Sequence, residues 1–79
     1  MSNYTLFETE LAAQYKELYE SDPEYSYSAS IIGPNELATK MTKGLLTGSA
    51  SKDGKAIKNV CKKLKIKHTY KEIKEFLEK

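Results

Sequence analysis

The sequence has no arginine and no tryptophan, and only one cysteine (Cys61), one histidine (His68), two prolines and four glycines among 79 residues. Each shortage excludes something. A lone cysteine cannot form an internal disulfide, so stability must come from packing or from a partner. One cysteine and one histidine cannot complete a Cys/His zinc cluster within one chain, and no metal or cofactor site is expected. All thirteen basic residues are lysine. Lysine holds phosphate as a point charge but lacks the rigid fork that reads guanine with two parallel bonds. No apolar run approaches the roughly 18 residues of a membrane span. Met1-Ser2-Asn3-Tyr4 shows neither the basic start nor the apolar core of a secretory leader, so the reading is cytoplasmic, with no membrane partner.

What is present is ordinary for a folded protein: 39% hydrophobic and 30% charged residues. The length fits one domain, residues 1–79, whose core is modest because a chain this short buries only about 60% of its unfolded surface. Charge is the informative quantity. Residues 1–50 carry seven acids and three lysines, and residues 51–79 carry ten lysines and four acids, so a net −4 faces a net +6 within an overall +2. Such asymmetry points to a partner for the basic end.

The pattern is helical throughout. Thr5-Leu6-Phe7-Glu8 fits a capping box, and Tyr4, Phe7, Leu11, Tyr15 and Leu18 make one apolar stripe that fades near Glu20. Asp22-Pro23-Glu24 is a second start signal. The alternation Tyr25-Ser26-Tyr27-Ser28 after it reads as a short helix or an extended segment. Gly33-Pro34-Asn35-Glu36 opens a third helix with the stripe Leu37, Met41, Leu45 and Ala38 beside it, ended by Gly48. Residues 47–54 form a small-residue loop between an acidic, tyrosine-rich part (1–48) and a basic part (51–79). A fourth helix is expected from Ser51 or Asp53 to Leu64. Ile57, Val60, Cys61 and Leu64 lie on one face, with Lys52, Lys55, Lys62 and Lys63 opposite and Lys58 to one side. Thr69-Tyr70-Lys71-Glu72 is a further capping box, and a last helix over 70–78 turns Tyr70, Ile73, Phe76 and Leu77 inward. The fold expected is all-α, a small bundle of four to five short helices with a basic helix-turn-helix-like hairpin at the C-terminus.

Catalytic patterns are missing. Cys61 would need His68 as its base, yet it lies on an apolar helix face, where a structural role is expected. The carboxylates Glu8, Glu10, Glu17, Glu20, Asp22 and Glu24 fall at helix starts or on polar faces, without a buried pair. Asp53-Gly54-Lys55 lacks the spacing of a phosphate-binding loop. The six tyrosines serve either as core bodies with wetted hydroxyls or as a protein-binding surface.

Residues 52–74 hold nine lysines and two acids, Asp53 and Glu72, a face suited either to solubility or to neutralising phosphates. The segment Ala56-Ile57-Lys58-Asn59-Val60-Cys61-Lys62-Lys63-Leu64-Lys65-Ile66-Lys67-His68-Thr69-Tyr70-Lys71-Glu72-Ile73 resembles a helix-turn-helix unit. Cys61 matches the small position, Leu64 the leucine and Ile66 the residue after the turn. Lys65 stands where that family carries glycine, and Tyr70 and Ile73 are one residue out of step with its usual valine. The resemblance implies that His68, Thr69, Lys71 and Lys74 lie nearest the bases in the major groove, with Lys55, Lys58, Lys62, Lys63 and Lys67 on phosphate. The run from Lys52 to Lys71 is also similar to small bacteriophage or prophage proteins. That likeness implies a phage accessory protein working in the host cytoplasm.

The function expected is therefore non-enzymatic nucleic-acid (DNA) binding through the lysine-rich C-terminal hairpin. The alternative is a protein–protein inhibitor of a host nucleoprotein or defence complex, similar to anti-CRISPR proteins. Self-association into a homo-oligomer remains compatible with either.

Overall fold

The computed structural model of the chain describes residues 2–21 and 32–79, all helix and connecting turns without a strand. The expectations for Asp22, Tyr25 and Tyr27, and for the side chain of Tyr19, lie outside the described residues. Four helices are described: α1 (Asn3–Ser21), α2 (Pro34–Thr47), α3 (Lys55–Leu64) and α4 (Tyr70–Glu78).

Helix α1 is the hub. It packs on α2, α3 and α4, and α4 also packs on α2. The spacing of three and four in its sequence becomes one buried seam of Phe7, Leu11, Tyr15 and Leu18, with Tyr4 half-buried at its start. The helix begins earlier than the Thr5 capping box predicted. Ser2 Oγ accepts the Thr5 backbone N–H at 3.1 Å, so Ser2 satisfies a first-turn donor that has no helical partner.

Helix α2 opens on Gly33 and Pro34 as expected, and Gly48 closes it in the left-handed conformation, φ 80°. Its buried face is shifted from the predicted stripe. Ala38, Thr42 and Leu45 are buried, whereas Leu37 and Met41 are only partly so. Thr42 tolerates burial because its hydroxyl donates to the Ala38 carbonyl at 2.7 Å. Gly44 is buried for a different reason. The chain after Gly48 folds back over it, and the Ser49 and Ala50 N–H groups both donate to the Gly44 carbonyl, at 2.8 and 3.1 Å. A Cβ at position 44 would lie 2.6 Å from Ala50 Cβ.

Helix α3 starts at Lys55 after an extended Gly54, rather than at Ser51 or Asp53, and no side chain caps it. Lys52 therefore lies in the loop before α3, not on its polar face. Ala56, Ile57, Val60 and Cys61 are buried against α1. Two polar ties fix the register: Asn59 Nδ2 donates to Gln14 Oε1 at 3.1 Å, and Lys63 Nζ meets Glu10 Oε2 at 2.6 Å. Rising numbers in α3 pair with falling numbers in α1, so the two helices run antiparallel.

The α3–α4 turn is a Schellman motif built without glycine. Ile66 N–H donates to the Cys61 carbonyl at 2.9 Å, and Lys65 N–H to the Lys62 carbonyl at 3.4 Å. Lys65 takes φ 59°, ψ 42°, the left-handed region where a Cβ crowds the following carbonyl. Because Lys65 is exposed, Lys65→Gly removes this strain without losing packing. The expected net gain, after the larger entropy of an unfolded glycine, is about 0.5–1 kcal/mol. A urea midpoint at or below the wild-type value would contradict this account of the turn.

Thr69 caps α4 as predicted, its hydroxyl accepting from the Glu72 N–H at 3.2 Å. The return half of the box is not formed, because the Thr69 N–H donates to the Lys67 carbonyl at 2.9 Å. Ile73 and Leu77 are buried and Phe76 is partly so, its ring tilted against Phe7 at 6.3 Å. Tyr70, expected inward, is 43% exposed. Direct contacts between α3 and α4 are sparse: both are laid on α1 rather than packed face to face as a hairpin.

Candidate functional site

The burial of Ala56, Ile57, Val60 and Cys61 forces the rest of α3 outward. Lys55, Lys58 and Lys62 are exposed. At about 100° per residue they share a sector roughly 60° wide, and Lys65 continues the line past the helix end. The line spans about 15 Å from Lys55 to Lys65 at 1.5 Å per residue. No acid interrupts it, because α3 contains none. Lys62 and Lys63 sit in the last turn, where the helix dipole favours cations.

The other predicted lysines are distributed differently. Lys63 turns toward α1 and its ammonium is held by Glu10, whose Oε2 is buried. This ion pair joins the acidic half of the sequence to the basic half. Lys67 is exposed beside a groove of about 440 Å³ that also holds Glu72 and Glu75, so its surroundings carry both signs. Lys71 and Lys74 are exposed on α4, where they border a smaller concavity of about 170 Å³ with Tyr70 and the end of α2. The nine predicted residues thus form a row on α3, a pair on α4, and a turn between them.

Thr69 and His68, like Lys63, have polar atoms engaged within the molecule. Thr69 is the cap of α4. His68 Nε2 bonds the Lys52 carbonyl in a short contact, fastening the loop before α3 to the turn after it. Tyr70 does the same from the next turn. Its hydroxyl donates to the Ala50 carbonyl at 3.1 Å and accepts the Lys52 N–H at 3.4 Å. Lys52 Nζ lies 5.6 Å from the centre of the Tyr70 ring, within cation–π range, and 3.0 Å from Asp53 Oδ1. Lys52 holds the Asp53 carboxyl below its usual range through this hydrogen bond and its charge, with smaller help from His68 and Lys58.

No protein-family model, curated protein or solved structure matches this chain. Among the described residues no group of three or more His, Cys, Asp or Glu side chains could hold a metal ion, and no helix is long and apolar enough to cross a membrane. Cys61 is buried, and desolvation pushes its thiol above the ordinary value, away from the thiolate a nucleophile needs. What remains is a surface of lysines held in place by short helices. The contacts of Tyr70 with Lys52 and Ala50 span 18 and 20 residues and leave no local periodic signal in the sequence.

Proposed function

We propose that the chain is a non-enzymatic nucleic-acid-binding protein that grips the DNA backbone through the lysine face beginning at α3. The observation that carries the reading is the row Lys55, Lys58 and Lys62, exposed on one helical face with no acid among them. A solvated helix normally intersperses both signs, as α4 does with Lys71, Glu72, Lys74, Glu75 and Glu78. Lys67 extends the row through the turn, and Lys63 joins it where phosphate competes with Glu10. The left-handed turn at Lys65 stands where helix-turn-helix units carry glycine, but α3 and α4 rest on α1 rather than on each other, so the reading rests on the lysine row and not on that resemblance. With lysine alone supplying the charge, the grip is tolerant of sequence.

The test is a fluorescence-anisotropy titration of a labelled duplex across a salt series. If Lys55, Lys58, Lys62 and Lys67 neutralise four phosphates, log K against log salt has a slope of about −3.6, and affinity falls roughly 150-fold between 50 and 200 mM salt. Lys58→Ala/Lys62→Ala should flatten that slope by about 2 and weaken all duplex sequences alike. Failure to bind a duplex even at low salt overturns the reading.

A further inference from the structure

Tyr70 is the large hydrophobic side chain left exposed among the described residues, at 43% of its surface. Its exposure is not the loose exposure of a solvated side chain. The hydroxyl is fixed at two points, on the Ala50 carbonyl and the Lys52 N–H. The ring is thus held at the surface in one orientation, and a ligand stacking on it has little side-chain entropy left to remove. The concavity beside it is lined by Leu45, Leu46, Thr47, Gly48, Lys71 and Lys74 together with Tyr70. Its charged members are both lysine, in contrast to the neighbouring groove, where Lys65, Lys67 and Lys79 meet Glu72 and Glu75. At about 170 Å³ it falls below the roughly 300 Å³ at which pockets for drug-sized ligands begin, and suits one flat ring.

We propose that Tyr70, Lys71 and Lys74 form a binding site for one unpaired nucleotide of a DNA strand. The base stacks on the face of the tyrosine ring away from Lys52, whose ammonium lies over the other face, and the adjoining phosphates rest on the Lys71 and Lys74 ammonium groups. The inference rests on the reading of the α3 face as a phosphate grip, and it names a part of the nucleic acid that α4 would engage. Bases inside an intact duplex have their faces covered by their neighbours, so a surface ring meets a base face only in a single strand, a frayed end or a displaced strand. A fixed aromatic flanked by cations of one sign is the arrangement that holds single strands without reading their sequence.

Two measurements test the site. The first compares a labelled oligo-dT with a duplex of equal length, for wild type, Tyr70→Phe and Tyr70→Leu, each checked for helical circular dichroism. Stacking predicts that Tyr70→Leu weakens oligo-dT binding at least about fivefold more than it weakens duplex binding, and that Tyr70→Phe, which keeps the ring, retains most of it. The second photocrosslinks wild-type protein to oligo-dT carrying 5-iodouracil and maps the adduct by mass spectrometry, with Tyr70 as the expected residue. It decides the matter if Tyr70→Leu does not fold. The site is overturned if folded Tyr70→Leu binds oligo-dT as wild type does, or if adducts form elsewhere and not on Tyr70. Duplex binding without oligo-dT binding sinks this inference alone, whereas loss of both sinks the phosphate grip with it.

Discussion

Phe7→Ala should come close to unfolding the protein. Phe7 is fully buried on the hub helix α1, and its ring meets Phe76 of α4 at 6.3 Å. Truncating a buried phenylalanine costs about 3–5 kcal/mol, because the lost transfer free energy is joined by the cost of the cavity left behind. At roughly 0.05–0.15 kcal/mol per residue, a chain of this size has about 4–12 kcal/mol in total. No disulfide supplements it, since Cys61 is the sole cysteine. The melting temperature should fall by about 12–40 °C, at 4–8 °C per kcal/mol for a domain this small. Urea denaturation followed by circular dichroism measures the loss directly. A cost below about 1 kcal/mol would mean that α1 is not the hub, since surface-type values belong to side chains outside the core. Duplex binding should decline in parallel, because α3 rests its buried face on α1.

The second large effect is expected at Gly44. Alanine there improves helix propensity by up to about 1 kcal/mol. Its Cβ, however, would sit 2.6 Å from Ala50 Cβ, with Ala50 N and Cα at 3.3 and 3.4 Å. None of these atoms is the end of a flexible side chain, so the loop itself must move. Overpacking of this kind costs up to about 3 kcal/mol, so the expected net loss for Gly44→Ala is about 2 kcal/mol. The loop also carries the carbonyl that holds the Tyr70 hydroxyl. Gly44→Ala should therefore loosen the Tyr70 ring as well as lower the denaturation midpoint. Gly44→Ala/Ala50→Gly removes the opposing methyl and should recover most of the stability. Equal midpoints for the single and double variants would show that the close approach is not the cause.

The helices and much of the core were legible because their signals are local. The seam of α1 is a spacing of three and four residues, and each of Pro34, Gly48 and Thr69 acts within one turn of itself. The misreadings have local causes too. Ser2 displaced Thr5 as the cap because both carry a hydroxyl three residues before a helical N–H, and sequence does not rank two adjacent candidates. Ser51 or Asp53 was expected to start α3, but the Ser51 hydroxyl accepts the Asp53 N–H and the Asp53 carboxylate pairs with Lys52 instead. Tyr70 fits an inward stripe by spacing, yet the loop at 50–52 offers its hydroxyl partners at the surface.

The lysine face of α3 is the part of the candidate site that the sequence determined by itself. Once Ile57, Val60 and Cys61 seek burial, helical geometry alone sends Lys55, Lys58 and Lys62 to the opposite side. Tertiary structure decided which of the remaining polar groups stay available. It gave Lys63 to Glu10, set His68 on the Lys52 carbonyl, and turned Tyr70 outward against Ala50. Those pairings join residues 53, 16 and 20 positions apart. Such distances are closed by the packing of α1, α2 and α4 around a shared core, and no pattern within a single helix encodes them.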